Sequence, residues 1–138
     1  MSLSAPIRGA VVALVVSVPT LAAEEAWGGR PMIDQPGLWW MVPGAVVLAA
    51  FFVAGIVAGR GRPRRGSTAA GAGILAVVTL VVADVIRRLV VVGESLSWPV
   101  AVLWIYGGLA AVAVAAVGGW AAGRRRVGPR PAGRRRRA

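Results

Sequence analysis

The chain has 138 residues, of which 57% are hydrophobic, with a mean hydropathy of +0.72 and a formal net charge of +11. This hydrophobic fraction and mean hydropathy lie far above those of soluble domains and predict an integral membrane protein. Too little of the chain would remain outside the bilayer to form a soluble core. Cysteine and histidine are absent, which excludes disulfides, thiol catalysis and the usual zinc, haem and iron–sulfur ligands. We therefore expect no cofactor, no metal site and no enzymatic activity.

Four apolar runs predict four transmembrane helices, at about residues 8–23, 38–59, 68–92 and 98–123. The expected fold is an all-α integral membrane protein. Its membrane domain, residues 1–123, forms two helical hairpins, and residues 124–138 form a disordered, arginine-rich tail. The first run is short enough to be a cleavable signal peptide ending at Ala23, although a retained helix is favoured. Residues 24–37 contain several Gly and Pro residues and are predicted to form an irregular surface segment.

The arginines predict how the chain is threaded. Thirteen of the 16 basic residues fall on one side of the predicted spans and only Arg30 lies in a loop on the other. The positive-inside rule then places both termini in the cytoplasm, and the membrane is interpreted as a bacterial plasma membrane. We expect anionic inner-leaflet headgroups to meet the arginines that flank the spans, namely Arg60, Arg62, Arg64, Arg65, Arg124, Arg125 and Arg126. No aromatic residue alternates with the arginines of the tail, so a nucleic-acid partner is not expected.

A shift of 64 residues aligns the second span with the fourth, placing Gly55 on Gly119, Gly59 on Gly123 and Trp40 on Trp104. This indicates two hairpins related by an axis along the membrane normal. Small residues at helical spacing allow close backbone approach between helices in lipid. The packing positions predicted on this basis are Gly55, Gly59, Gly107, Ala111, Ala115, Gly119 and Gly123. They fit either packing within one chain or a homo-oligomer.

The third span carries an intramembrane polar patch formed by Asp84, Arg87 and Arg88. A rise of ~1.5 Å per residue, counted from the cytoplasmic end, places Asp84 in the outer half of a hydrocarbon core about 30 Å thick. Spacings of three and four put both arginines on its side of the helix, where an ion pair can form. The patch is either structural or lines a path for an ion or headgroup. Few polar side chains are available to meet it, chiefly Ser17 and Tyr106 on other spans and Thr79 on the same span.

These features favour a non-enzymatic accessory or assembly subunit of a larger membrane complex. Its partners would be the lipid bilayer and other membrane proteins or a second copy of the chain. Two alternatives stay open. One is a small homo-oligomeric ion- or proton-coupled transporter that uses Asp84. The other is a holin-like pore, which fits the small size and the basic tail.

Overall fold

The computed structural model describes residues 4–28, 41–61, 63–93 and 98–124, which contain four long helices. These are α1 (Ala5–Gly28), α2 (Val42–Gly59), α3 (Arg65–Arg87) and α4 (Trp98–Arg124), and a π-helical turn (Arg88–Val92) continues α3. Each long helix contains a segment apolar enough to cross a bilayer. The predicted all-α membrane fold with four spans is therefore confirmed.

Several helix boundaries differ from those predicted. Helix α1 continues to Gly28, so the prediction of an irregular segment was wrong for residues 24–28. The run Ala22–Trp27 consists mainly of Ala and Glu, which are strong helix formers, and the first glycine comes only after it. Helix α4 likewise includes Arg124, which the sequence had assigned to the tail. The arginines at 62, 125 and 126 lie outside the described residues.

Local chemistry explains where α3 begins and ends. The hydroxyl groups of Ser67 and Thr68 donate hydrogen bonds of 3.0 and 2.9 Å to the carbonyl oxygen of Arg64. The same oxygen accepts the backbone N–H of Thr68, and α3 begins at Arg65, three residues before the apolar run. At the other end, Gly93 adopts a φ of +71°, a left-handed conformation that costs glycine little and is common where helices end.

The helices form a bundle of two adjacent hairpins, α1 with α2 and α3 with α4. Helix α2 packs most extensively against α4, and α1 lies beside α3. Helices α2 and α3 also touch across the bundle, so α1 and α4 occupy its far corners. The two hairpins therefore lie side by side like two translated copies, with α1 beside α3 and α2 beside α4. A two-fold axis along the membrane normal, which the repeat predicted, would instead place α1 and α3 at opposite corners of the bundle.

Small residues make up nearly all of the core. The buried apolar side chains are mostly alanines, and the largest fully buried side chain is Phe51. The backbones are correspondingly close, since a Cβ added at Gly9 would lie 2.8 Å from the carbonyl oxygen of Ala54. In lipid, such close contact supplies the dispersion energy that holds helices together.

Candidate functional site

Asp84 is the centre of a polar cluster that joins α3 to α4. Its Oδ1 accepts a hydrogen bond of 3.3 Å from Nη2 of Arg87, and its Oδ2 accepts one of 2.8 Å from Nε of Arg88. The same Oδ2 accepts a third bond of 3.0 Å from the indole Nε1 of Trp104. We call these four residues the Asp84 cluster. Both carboxylate oxygens are engaged by donors of the chain itself.

The local helical structure sets the geometry of this cluster. Arg87 and Arg88 follow Asp84 by three and four residues, which places all three side chains on neighbouring parts of one helical surface. The backbone changes from α-helical to π-helical at Arg88, a feature often found at functional positions in helices. The side chain of Asp84 is 15% exposed, whereas those of Arg87 and Arg88 are 38% and 25% exposed. The positive groups thus lie nearer the surface than the carboxylate.

Trp104 is the member of the cluster that sequence reasoning missed. The repeat aligns it with Trp40, and no local spacing relates it to Asp84. The polar residues predicted to be available to the patch lie elsewhere. The Thr79 hydroxyl donates 2.8 Å to the carbonyl oxygen of Leu75, and the Ser17 hydroxyl is buried without a partner among the described residues. Tyr106 is 70% exposed on the outer surface of α4.

Most of the predicted packing residues lie where α2 meets α4. Gly55 faces the backbone of Ala115, and a Cβ added at Gly59 would lie 2.9 Å from Cα of Gly119. Gly119 also faces Ala69 of α3. Two further predicted positions also lie inside the bundle, Ala111 in the core and Gly123 against the side chain of Arg65. This contact occupies the end of the bundle that carries Arg60, Arg64 and Arg65, which we call the basic end.

Gly107 does not join these contacts, because a Cβ added there would meet no atom within 4 Å. The same holds for Gly44 on α2. Both glycines line a cavity of about 310 Å³ at the end of the α2–α4 contact away from the basic end, and Leu21 of α1 and Val77 and Leu80 of α3 line it as well. We call it the lateral groove and define it by Gly44, Leu48, Phe51, Leu103, Trp104 and Gly107. Trp104 therefore belongs to both the groove and the Asp84 cluster.

The arginines predicted to meet headgroups lie at the basic end where the structure describes them. Arg60 and Arg64 are exposed in the turn between α2 and α3. Arg65 is the first residue of α3 and Arg124 the last of α4. Exposed arginines at one end of a bundle, such as Arg60 and Arg64, fit the surface of an anionic leaflet.

Comparison with models of known protein families, with curated protein sequences and with solved structures found no match. The chain's function is therefore inferred from its own structure. The structure offers the Asp84 cluster between α3 and α4, the apolar lateral groove beside it and an exposed outer face on α4.

Proposed function

We propose that the chain is a non-catalytic accessory or assembly subunit that binds a helix of another membrane protein through the outer face of α4. This face, the outer α4 stripe, consists of Tyr106, Leu109, Ala113 and Val117. All four side chains are exposed, and their spacings of three and four align them on one side of the helix. Of the four candidate spans, α4 has the smallest share of its residues buried in the bundle.

The observation that carries this proposal is the hydroxyl group of Tyr106. Its side chain is 70% exposed and forms no hydrogen bond within the described residues. The exposed threonines differ, since Thr20 and Thr79 donate to the carbonyl oxygens of Val16 and Leu75 on their own helices. A phenol hydroxyl on a lipid-facing surface gains from a polar group on a neighbouring helix. Ala113, two turns away, has a side chain small enough for that helix to approach closely.

The transport alternative has less support, because both oxygens of Asp84 accept hydrogen bonds from the chain's own donors. A carboxylate that carries an ion or a proton must exchange these partners at each cycle. The accessory role requires no such exchange. We propose that the protein performs it in a bacterial plasma membrane with both termini in the cytoplasm, the orientation that its arginine distribution predicts.

Site-directed cross-linking tests the proposal directly, because the chain contains no cysteine. We expect Ala113→Cys, carrying a photoreactive maleimide in native membranes, to give one discrete adduct of higher mass. Ala83→Cys is the matched control, since Ala83 is an exposed alanine on α3, and it should give none. Adducts of equal yield at both positions, or none at Ala113, would contradict the proposal.

Two substitutions extend the test. Ala113→Leu should lower the recovery of the cross-linked partner in mild detergent several-fold by separating the helices, and Ala83→Leu should not. Tyr106→Phe should weaken the association by about 0.6 kcal/mol and by no more than about 1.7 kcal/mol, the mean and the maximum measured for hydrogen bonds between membrane helices. If the adduct is a second copy of the chain, its mass will be twice that of the monomer.

A further inference from the structure

The hydroxyl group of Ser17 differs from the other hydroxyl groups within the spans. Ser17 is fully buried on α1, and its oxygen has no hydrogen-bond partner among the described residues. Thr20 and Thr79 also lie inside helices, but each donates to the carbonyl oxygen four residues earlier on its own helix. A buried hydroxyl group without a partner costs free energy. The packed arrangement of α1 is therefore less stable than its apolar contacts alone would make it.

The surroundings of Ser17 are apolar. Ala13, one turn earlier on the same face of α1, packs into the core together with Phe51 of α2 and Leu80 of α3, and Ser17 continues this face. A buried water molecule needs several polar partners, and these side chains offer none. The acceptor that remains within reach of the Ser17 hydroxyl group is the backbone of α1 itself.

Pro19 interrupts the hydrogen bonds of α1 close to Ser17. It is an interior residue of the helix and has no N–H to donate to the carbonyl oxygen of Val15. A proline inside a helix makes bending possible there. A serine hydroxyl group that donates to the carbonyl oxygen four residues earlier also bends a helix. For Ser17 this acceptor is the carbonyl oxygen of Ala13, which has a second lone pair for the bond.

We propose that α1 is a two-state hinge and that Ser17 is its switch. In the packed state, which the structure describes, the outer part of α1 lies against the bundle and the Ser17 hydroxyl group is unpaired. In the bent state this hydroxyl group donates to the carbonyl oxygen of Ala13, and the segment from Pro19 to Gly28 moves away from the bundle. The two states exchange apolar packing for one hydrogen bond.

Bending at Pro19 changes the lateral groove. Leu21, one turn beyond Ser17, lines the groove, so departure of the outer part of α1 widens it. Helices α1 and α4 occupy far corners of the bundle. The bend therefore leaves the outer α4 stripe in place, and the hinge does not depend on the proposed partner helix.

Distances between spin labels test the hinge, because labels can be attached at single cysteines in this cysteine-free chain. One pair, Ala23→Cys with Ile74→Cys, joins the outer part of α1 to α3. The matched pair, Val11→Cys with Ile86→Cys, joins the part of α1 before the hinge to α3, and all four positions are exposed. In nanodiscs that hold one copy of the chain, double electron–electron resonance should give two distances for the first pair and one for the second.

Substitutions at the hinge should change the share of the longer distance. Ser17→Ala should lower it about tenfold, a shift of about 1.4 kcal/mol, because it removes both the unpaired hydroxyl group and the bond of the bent state. Pro19→Ala should lower it as well, since it restores a donor for Val15. Ser17→Thr should raise it, because both threonines within the described spans form the corresponding bond. Thr79→Ala removes a hydroxyl group from α3 and is the control, which should leave both pairs unchanged.

Three results would overturn the inference. One is a single distance for the Ala23 pair that neither Ser17→Ala nor Pro19→Ala changes. Another is an effect of Thr79→Ala equal to that of Ser17→Ala. The third is a second distance in the Val11 pair, which would mean that α1 moves as a whole and does not bend at Pro19.

Discussion

Asp84 shows how a single carboxylate determines its surroundings inside a membrane. A charged group in hydrocarbon is costly unless it is paired and hydrogen-bonded, and arginine stays charged in proteins. The chain supplies two arginines from the next helical turn and one indole donor from α4. The arginines are local partners, whereas the indole fixes how far α4 is shifted along α3. Trp104 thus turns a local ion pair into a link between helices.

Replacing Trp104 with Phe should measure that link. The substitution keeps an aromatic ring in the groove and removes the N–H that donates to Asp84. A hydrogen bond to a charged group contributes about 1.5–3 kcal/mol, and we expect a loss near the lower value because the cluster is partly exposed. The free energy of unfolding, from denaturant titration in detergent, is the measurement.

Trp98→Phe provides the control, since Trp98 is 77% exposed at the start of α4. Its unfolding free energy should match that of the unmodified chain. Equal losses for the two tryptophans would show that the effect reflects the indole ring in general and not its bond to Asp84.

The sequence predicted part of this cluster, and the division has a physical reason. The spacing of Asp84, Arg87 and Arg88 follows from helical periodicity alone, so their proximity was predictable. Trp104 lies 20 residues further along the chain, and its approach depends on the shift and rotation of α4 against α3. No local pattern encodes these quantities. The sequence did contain one indication. Trp104 offers an indole N–H donor on the fourth span at a depth similar to that of the Asp84 carboxylate on the third.

At the scale of helices, α2 and α4 meet at one end and separate at the other. Gly55 and Gly59 bring the backbones together near the basic end, and Gly44 and Gly107 leave space at the other. A ladder of small residues predicts which face of a helix is packed. It does not predict how far along the helix the contact persists, because that depends on the crossing angle. The ladder of small residues predicted that Gly107 would pack against another helix. At its level α2 and α4 have already separated, so Gly107 lines the lateral groove.

Gly55→Ala should destabilise the bundle by about 1–3 kcal/mol, the usual cost of inserting a group into a close-packed contact. The added methyl would clash with the backbone of Ala115, which cannot rotate away as a side chain could. Gly71→Ala is the matched control, since nothing lies within 4 Å of its added Cβ. It should be neutral or stabilise the helix by up to about 1 kcal/mol.

Denaturant titration of both variants in the same detergent gives the comparison. A Gly55→Ala protein as stable as the Gly71→Ala protein would mean that α2 and α4 are further apart than the structure places them.

At the scale of the whole molecule, hydropathy predicted the number of spans because a chain in lipid must satisfy its backbone hydrogen bonds within helices. Which helices touch was less accessible. The repeat aligned α2 with α4 as copies and did not predict their contact, in which Gly55 and Gly119 approach each other. It did not reveal that α1 would lie beside α3. That contact depends on small residues of α1 such as Gly9, where an added Cβ would lie 2.9 Å from Ala72 of α3.

The orientation of the bundle is a prediction of the arginine distribution, and single cysteines in this cysteine-free chain can test it. Arg64 is exposed in the turn at the basic end, and Trp98 is exposed at the opposite end of the bundle. Because basic residues are retained in the cytoplasm, a membrane-impermeant maleimide added to intact cells should label Trp98→Cys and leave Arg64→Cys unlabelled. Permeabilised cells should show labelling of both, which controls for thiol accessibility. The reverse pattern in intact cells would invert the topology. It would also move the lateral groove to the inner leaflet, while the geometry of the groove and the Asp84 cluster would stand unchanged.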